Sequence, residues 1–387
     1  MAPTVLLAVV YLAFISLGLP DGVFGVAWPT LRHALGEPLA SAGLVTMLVS
    51  GCGALSGFAS GAVLRRWDTG RVVAASGLLT GLALLGFAWA PSLAWLMLLA
   101  VPLGLGSGAV DAGMNHFVAR HYSSRHMNWL HASWGIGATL GPLTMGWALA
   151  QPGAWSLGYQ VLGTAQIGLA AVVLATLGLW RHAPRPAQAP ADPGAGGQAP
   201  RAPVPPWAAW LAPSLYLLYA LIEVGTGLWA ASLLVEQRGL PAPEAGRWVG
   251  LFFGAIMLGR IAVGFVSVRL GNRRLVRGGL AVAAVGALLL ALPALPVAWA
   301  GAGLLLMGLG CAPVYPSLMH ETTHRFDPDT ARRVVGRQVA FACLGASLGP
   351  AALGLLGAQA GLGWIAPTVL AAIAALAALA AVLDRVT

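Results

Sequence analysis

The stretch Gly104-Leu-Gly-Ser-Gly-Ala-Val-Asp111 recurs 204 residues later as Gly308-Leu-Gly-Cys-Ala-Pro-Val-Tyr315. The match continues to His116 and His320, which lie at the same offset. The two copies share their first two glycines, but the acid Asp111 of the first copy is replaced by Tyr315 in the second. We therefore predict a backbone shape common to both copies, and chemistry that belongs to one of them.

A second pair of segments repeats at nearly the same offset. Gly135-Ile-Gly-Ala-Thr-Leu-Gly-Pro142 matches Cys343-Leu-Gly-Ala-Ser-Leu-Gly-Pro350 at 208 residues, and Asp21 matches Glu223 at 202 residues. Near-equal offsets across separate motifs indicate an internal duplication.

The composition is that of an integral membrane protein. The 387 residues are 58% hydrophobic and 9% charged, against about 25% charged in soluble domains. Apolar runs of about 20 residues alternate with short polar pieces, which is typical of spanning helices. The sequence predicts an all-α fold with twelve spans, at 4–29, 41–63, 72–90, 92–119, 129–150, 157–180, 208–234, 246–268, 275–293, 297–319, 334–357 and 362–383.

The basic residues predict the orientation of these spans. All 21 are arginines, and 17 of them fall in the pieces that are cytoplasmic if the N-terminus is cytoplasmic. Arg32, Arg238 and Arg247 fall in the outer loops, and Arg260 lies within a span. This asymmetry follows the positive-inside rule and predicts that both termini are cytoplasmic. The net charge of +9 is therefore explained by the orientation of the spans in the membrane, and we expect no nucleic-acid partner.

A segment rich in proline, alanine and glycine divides the chain. We predict an N-terminal six-helix bundle over 1–180, a flexible cytoplasmic linker over 181–207 and a C-terminal six-helix bundle over 208–387. Such a linker composition cannot bury a core.

No pattern in the chain indicates an enzyme. The glycines at 104, 106 and 108 lack the strand–turn–helix setting of a dinucleotide site, and there is no phosphate loop. The three cysteines lie far apart without metal-ligand spacing. We expect no metal and no cofactor.

Two acids of the first half lie inside predicted spans. Asp111 and Asn115 are four residues apart and share a helix face. Asp21 follows Pro20 and precedes Gly22, where the helix is expected to kink. Intramembrane acids usually face a protein interior or a water-filled path, so Asp21 and Asp111 are candidate proton- or ion-coupling residues. A purely structural hydrogen-bonding role stays open for each.

The seventh span combines aromatic side chains with an acid. Tyr216, Tyr219 and Glu223 follow one helical stripe, and Trp229 lies further along. Rings beside a hydrogen-bonding acid suit a neutral polyhydroxylated ligand, whose C–H faces stack while its hydroxyls find partners. Helical packing of the same aromatics is the alternative.

Three polar or aromatic residues share a side of the fifth span, namely Asn128, His131 and Trp134. With Asn115 and Tyr315 they are further candidate substrate-binding residues. A histidine facing the path could relay protons, although an isolated histidine is more often structural. Arg260, inside the eighth span, is predicted to be structural or gating, where it meets a carboxylate, helix carbonyls or the cytoplasmic water layer.

Two loops resemble the Gly-x-x-x-Asp-Arg-x-Gly-x-Arg-Arg motif of the major facilitator transporters. The loop after the eighth span contains Arg269 and Arg273, with Val268 at the place of the Asp. The loop after the second span contains Asp68 and Arg71, with its acid out of register by one residue. The resemblance implies gating roles for these two loops. It also implies the major facilitator fold, two pseudo-symmetric six-helix bundles that rock about a central path.

Motifs in five spans resemble the fucose–galactose–glucose:proton symporter family within that superfamily. They are the acid at Asp21, the pattern from Gly104 to Asn115 with Asp111 in place of Glu, and Asn128-Trp-Leu-His-Ala-Ser-Trp-Gly135, together with Tyr219-x-x-x-Glu223-Val and Gly259-Arg-x-x-x-Gly264. The resemblance implies that Asp21 and Asp111 couple a hexose-like substrate to the proton gradient.

We therefore expect a monomeric secondary transporter in a bacterial-type inner membrane, with a small-molecule substrate and the lipid bilayer as its partners. The leading hypothesis is proton-coupled symport of a monosaccharide-like solute by alternating access. The alternatives are a proton-driven exporter of drugs or metabolites, sodium-coupled sugar transport, and a receptor or scaffold that transports nothing.

Overall fold

A computed structural model describes residues 2–122, 124–181 and 204–387, and these residues form helices and connecting turns without a strand. The predicted linker falls largely on 182–203, outside the described residues. The helices are α1 (Ala2–Gly18), α2 (Val23–Leu35), α3 (Ser41–Arg66), α4 (Thr69–Phe87), α5 (Leu93–His121), α6 (Ser124–Ala148), α7 (Ala154–Ala175), α8 (Leu177–Arg181), α9 (Ala208–Ser232), α10 (Ala242–Leu270), α11 (Asn272–Ala291), α12 (Val297–Cys311), α13 (Val314–Arg325), α14 (Pro328–Ala360) and α15 (Ile365–Val386).

The predicted all-α membrane fold is confirmed. Eleven helical segments of the described part are long and apolar enough to cross a membrane. The helix α6, with 25 residues, corresponds to the remaining predicted span. The first span comprises α1 and α2, the sixth α7 and α8, and the tenth α12 and α13.

The two halves repeat the same packing, span for span. In the first half, the first span packs on the fifth, the second on the fourth, and the third on the fourth and the sixth. In the second half, the seventh packs on the eleventh, the eighth on the tenth, and the ninth on the tenth and the twelfth.

Glycines at the repeat offsets make the same close approaches in both halves. A Cβ at Gly137 would lie 2.0 Å from the carbonyl oxygen of Ile15, and a Cβ at Gly345 would lie 2.2 Å from that of Leu217. Both distances are far below van der Waals contact, so only glycine lets these backbones meet. The duplicated glycines thus position the first span on the fifth and the seventh on the eleventh.

The first span is interrupted where the sequence predicts a kink. The helix α1 ends at Gly18 and α2 begins at Val23, with Pro20 and Asp21 in the turn between them. Gly22 has a φ of 72°, in the left-handed region that glycine adopts without a steric cost. The break places Asp21 in a turn between two helices in mid-span.

The tenth span, predicted as one run, is also interrupted, between Cys311 and Val314. Pro313 lies in this gap and has no N–H for the carbonyl of the preceding turn. The interruption lies just before Tyr315, the residue that replaces Asp111 in the repeat.

The ion pair and the closest backbone approaches between the halves lie towards one end of the molecule. We call the end with both termini the termini end, and the opposite end, near residues 36–40 and 238–241, the far end. At the far end, Arg32 of α2 and Glu236 form a two-point ion pair at 2.8 and 2.6 Å. Nearby backbones also meet closely, at Gly43 with Ala351 and at Gly146 with Gly246.

Polar contacts extend this closure towards mid-span. The Ser347 hydroxyl donates to the carbonyl oxygen of Met47 at 3.1 Å, and the Ser50 hydroxyl to that of Ala346 at 3.5 Å. On the termini side of these contacts, no hydrogen bond or ion pair among the described residues joins the halves, and we call the space between the halves on that side the gap.

Candidate functional site

The Asp21 carboxylate is held by a tryptophan of the fifth span. The indole N–H of Trp134 donates to Oδ2 of Asp21 at 2.8 Å. The backbone of Trp134 is fixed as well, because a Cβ at Gly18 would lie 2.2 Å from its carbonyl oxygen. The kinked first span and the fifth span therefore place Asp21 and Trp134 as one unit in mid-span.

Arg260 joins this unit to the other half. Its Cζ lies 5.2 Å from the centroid of the Trp134 ring, within the range of a cation–π interaction. Its Nη2 lies 3.4 Å from Oε1 of Glu223, and the two side chains are 25% and 12% exposed. Sequence reasoning left open whether Arg260 reaches the water layer or meets a carboxylate, and the structure places it beside Glu223.

These four residues form a continuous chain across the two halves. Asp21 and Trp134 belong to the first half, and Arg260 and Glu223 to the second. Close packing of α6 on α10 makes the contact possible, since a Cβ at Gly135 would lie 2.7 Å from the Met257 side chain.

Asp111 borders the same gap. The side-chain amide of Asn115 donates to Oδ1 of Asp111 at 3.0 Å and to its carbonyl oxygen at 2.9 Å, so the predicted pairing on one helix face is present. Asp111 is exposed, yet lies within electrostatic reach of Tyr315 and Cys343 of the other half. It therefore faces the other half across the gap.

The tyrosines of the second half form a cluster. Tyr216 and Tyr219 are 0% and 2% exposed, and their hydroxyls donate to the carbonyl oxygens of Tyr315 and Cys311 at 3.0 and 3.2 Å. The Tyr315 ring packs on both, with centroids 4.8 and 5.7 Å away. Tyr315 is the partly exposed member, so it presents an aromatic face to the gap while the other two support it.

Trp229 lies in the packed interior of the second half. Its ring is 0% exposed, and its indole N–H donates to the carbonyl oxygen of Pro350 at 2.9 Å. A Cβ at Gly354 would lie 2.5 Å from the ring. The residue that sequence reasoning assigned to a ligand packs here as a core side chain, because its helix face points towards the eleventh span.

His131 is exposed, and its ring packs edge-on against Phe14 at 5.6 Å. It lies one turn of α6 towards the termini end from Trp134, within electrostatic reach of Arg260. This position suits the predicted path-facing role. The side chain of Asn128 lies outside the part of the chain that the structure describes.

The predicted gating residues lie at the termini end. Asp68 and Arg71 approach to 3.9 Å within their own loop, and both are half exposed. Arg269 is exposed near the end of α10. Arg273 lies 3.2 Å from Glu321 and donates to the carbonyl oxygen of Asp384 at 3.0 Å.

Arg273 belongs to an ion network inside the second half. Asp384, on the last helix, also pairs with Arg277 at 2.8 Å and with the buried Arg325. The network ties α15 to α11 and α13 and is a structural brace within one bundle.

Cys343 is a further candidate site residue that the motifs did not single out. It lies within electrostatic reach of Asp111, and it departs from the repeat by standing where the first half has Gly135. The same logic that set Asp111 apart from Tyr315 identifies it. Among the described residues, no group of histidine, cysteine and acidic side chains has the geometry of a metal site.

Two pseudo-symmetric six-helix halves around a gap, closed at one end and lined by mid-span acids, define a membrane transporter. The family model described as "Major Facilitator Superfamily" matches residues 10–350, and the chain belongs to this superfamily. It is a transporter that works by alternating access, and it is not an enzyme. Among curated proteins, none matches this sequence.

Solved structures of similar fold agree with this assignment. A bacterial homolog to the human lysosomal transporter Spinster, in an inward-facing and occupied conformation, matches with a TM-score of 0.82 at 15% identity, over 99% of this chain and 97% of that chain. The same homolog, inward-facing and unoccupied, matches at 0.76 and 16% identity, over 100% and 96%. A mutant of the nucleoside transporter NupG matches at 0.75 and 15% identity, over 99% and 100%. At these identities the similarity concerns the fold.

Proposed function

We propose that the protein is a proton-coupled symporter of a neutral, polyhydroxylated solute resembling a monosaccharide. The observation that carries the proposal is the pair of acids bordering the gap, Asp21 and Asp111. Each has one polar side-chain donor, Trp134 or Asn115. Among the described residues, no arginine lies within ion-pair distance of either. Carboxyl groups without a fixed counter-ion are free to bind and release a proton as water reaches them.

The charge balance of the site favours a neutral solute. Glu223 is already paired with Arg260, so these two charges cancel. When Asp21 and Asp111 are both protonated, the four ionisable groups sum to zero, and a neutral molecule adds no uncompensated charge to the low-dielectric path.

The aromatic cluster supports a sugar-like ligand. Tyr315 presents its partly exposed ring to the gap and is supported by Tyr216 and Tyr219. A ring face of this kind accepts the apolar C–H face of a sugar, while the hydroxyls meet the polar groups across the gap. The resemblance of the sequence motifs to the fucose–galactose–glucose:proton symporters points to the same ligand class.

The test uses proteoliposomes and a panel of D-glucose, D-galactose and L-fucose. With Asp111→Asn, accumulation driven by an imposed pH gradient should vanish while counterflow exchange persists. Asp21→Asn should behave in the same way. Asp329→Asn is the matched control, because Asp329 is 71% exposed and pairs with Arg332 at the termini end. Loss of both accumulation and exchange would oppose a coupling role.

The second candidate is a proton-driven exporter. With Asp21 and Asp111 both ionised, the same four groups carry two net negative charges, which suits a cationic drug or metabolite. The direction of proton movement separates the two candidates: solute added outside vesicles alkalinises the medium in symport and acidifies it in exchange. Accumulation in sodium-free buffer separates proton coupling from sodium coupling.

We also propose that the termini end faces the cytoplasm of a bacterial-type cell. The loops and helix ends on this side contain Arg65, Arg66, Arg120, Arg274 and Arg333, in keeping with the positive-inside rule. A reporter enzyme that is active only in the cytoplasm should be active when it is fused to the C-terminus. A reporter that is active only outside the cytoplasm should be inactive there.

A further inference from the structure

Arg260 is only partly satisfied by the protein around it. It makes a single-point contact with Glu223 at 3.4 Å, which is long for a charge-assisted hydrogen bond. A guanidinium has five N–H donors, and Nε of Arg260 is buried without an acceptor. The Tyr219 hydroxyl is also within its reach, and the buried Nε is closed to a ligand, so the donors left for a ligand are N–H groups of the partly exposed Nη end.

The Arg260 guanidinium lies beside residues of both halves and borders the gap. One quarter of the side chain is exposed, and the flat head group lies over the Trp134 ring. Tyr315, the ring presented to the gap, is within its electrostatic reach. An oxygen-rich molecule in the gap would thus meet the N–H donors of the Arg260 guanidinium near the rings of Trp134 and Tyr315.

We propose that Arg260 forms an oxygen-binding subsite, which donates two hydrogen bonds to adjacent hydroxyl oxygens of the transported solute. The subsite rests on the proposed function and specifies which residue recognises the solute. The planar fork suits two neighbouring oxygens, as it does the two oxygens of a carboxylate. A ligand hydroxyl supplies the acceptors that the protein lacks.

The charges around Arg260 select a neutral ligand at this subsite. A cationic ligand would be repelled by the guanidinium. A carboxylate ligand would add a negative charge beside Glu223, within a gap that also contains Asp21 and Asp111. A polyol adds oxygens without charge, so it satisfies the free donors and leaves the Arg260–Glu223 balance unchanged.

The subsite also links the solute to the coupling acid through the Trp134 ring. Trp134 stacks under Arg260 and donates its indole N–H to Asp21. A ligand that orders Arg260 therefore orders the ring that holds Asp21.

The experiment measures binding of D-glucose, D-galactose and L-fucose to purified full-length protein by thermal shift and by counterflow KM. Arg260→Lys keeps the charge but loses the fork, and we expect affinity to fall about tenfold or more. Arg247→Gln is the matched control on the same helix, since Arg247 is exposed near the far end. It should leave affinity unchanged.

A double variant separates ligand binding from charge balance. If Arg260 serves only as the counter-ion of Glu223, Glu223→Gln combined with Arg260→Gln restores sugar affinity. The subsite predicts that the double variant stays as impaired as Arg260→Gln alone. Restored affinity in the double variant, or unchanged affinity in Arg260→Lys, overturns the subsite and leaves the symport proposal intact. If the wild type binds none of the three sugars, both proposals fail together.

Discussion

Replacing Arg32 with alanine should open the far end of the transporter. Arg32 lies on α2 of the first half and contacts Glu236 of the second half through two bonds of 2.8 and 2.6 Å. The pair exists only while the far end is closed, since its partners belong to different halves. Its free energy therefore favours the conformation that is open at the termini end.

The burial of the pair sets the size of the effect. Both side chains are 17% exposed, so the pair lies between a surface ion pair, worth up to about 1 kcal/mol, and a buried one, whose disruption costs about 3–5 kcal/mol. The two-point geometry adds strength. We expect a loss of about 1–2 kcal/mol, which shifts the equilibrium between the two conformations about 5- to 30-fold towards far-end opening.

Spin labels across the far end measure this shift directly. In a background without the native cysteines, Ala34→Cys and Glu244→Cys place labels at exposed positions of the two halves. Distance distributions from double electron–electron resonance should gain a component at longer distance in Arg32→Ala. The charge-swapped double variant, Arg32→Glu with Glu236→Arg, should regain the short distance.

Arg247→Ala is the control, because this arginine is exposed on α10 near the same end. An unchanged distribution in Arg32→Ala, or an equal shift in the control, would show that the ion pair does not maintain closure.

Three further outcomes test the packing and the gap. Gly137→Ala should destabilise the protein by about 1–3 kcal/mol, seen as a lower melting temperature in detergent, because its Cβ would lie 2.0 Å from a carbonyl oxygen. Gly57→Ala, with nothing within 4 Å of its Cβ, should be neutral. Asp384→Ala should cost about 3–5 kcal/mol, since it leaves Arg325, which is 3% exposed, without its closest partner; a melting temperature equal to that of the wild type would contradict the brace. Maleimide should label Cys343, which is partly exposed and within electrostatic reach of Asp111, and a transported sugar should slow the labelling; a rate insensitive to every transported sugar would place this thiol outside the path.

Much of the architecture follows from local sequence features. Apolar run length predicts the spans, and the repeat offsets predict which glycines fulfil equivalent roles, as Gly137 and Gly345 do. The interruption of the first span follows from Pro20 and Gly22, because proline removes a donor and glycine adopts a positive φ. These features depend on local backbone geometry, so they can be predicted without knowing which helices pack together.

The contacts of the candidate site were less accessible to sequence reasoning. Helical spacing shows that Tyr219 and Glu223 share a face, but it does not show the rotation of a helix within its bundle. Trp229 illustrates this limit: its spacing suits a ligand, yet its ring packs against the eleventh span. The bond between Trp134 and Asp21 joins residues 113 positions apart, and the approach of Arg260 to Trp134 depends on how the two halves meet.

The most direct test of the central claim is the pH of a weakly buffered medium around right-side-out membrane vesicles when the sugar panel is added. A transported sugar should alkalinise the medium in the wild type, because protons enter with it. In Asp111→Asn, the pH change should be lost while sugar exchange continues. Sugar uptake without proton movement in the wild type, or full alkalinisation in Asp111→Asn, would contradict the assignment of Asp111 as the coupling residue.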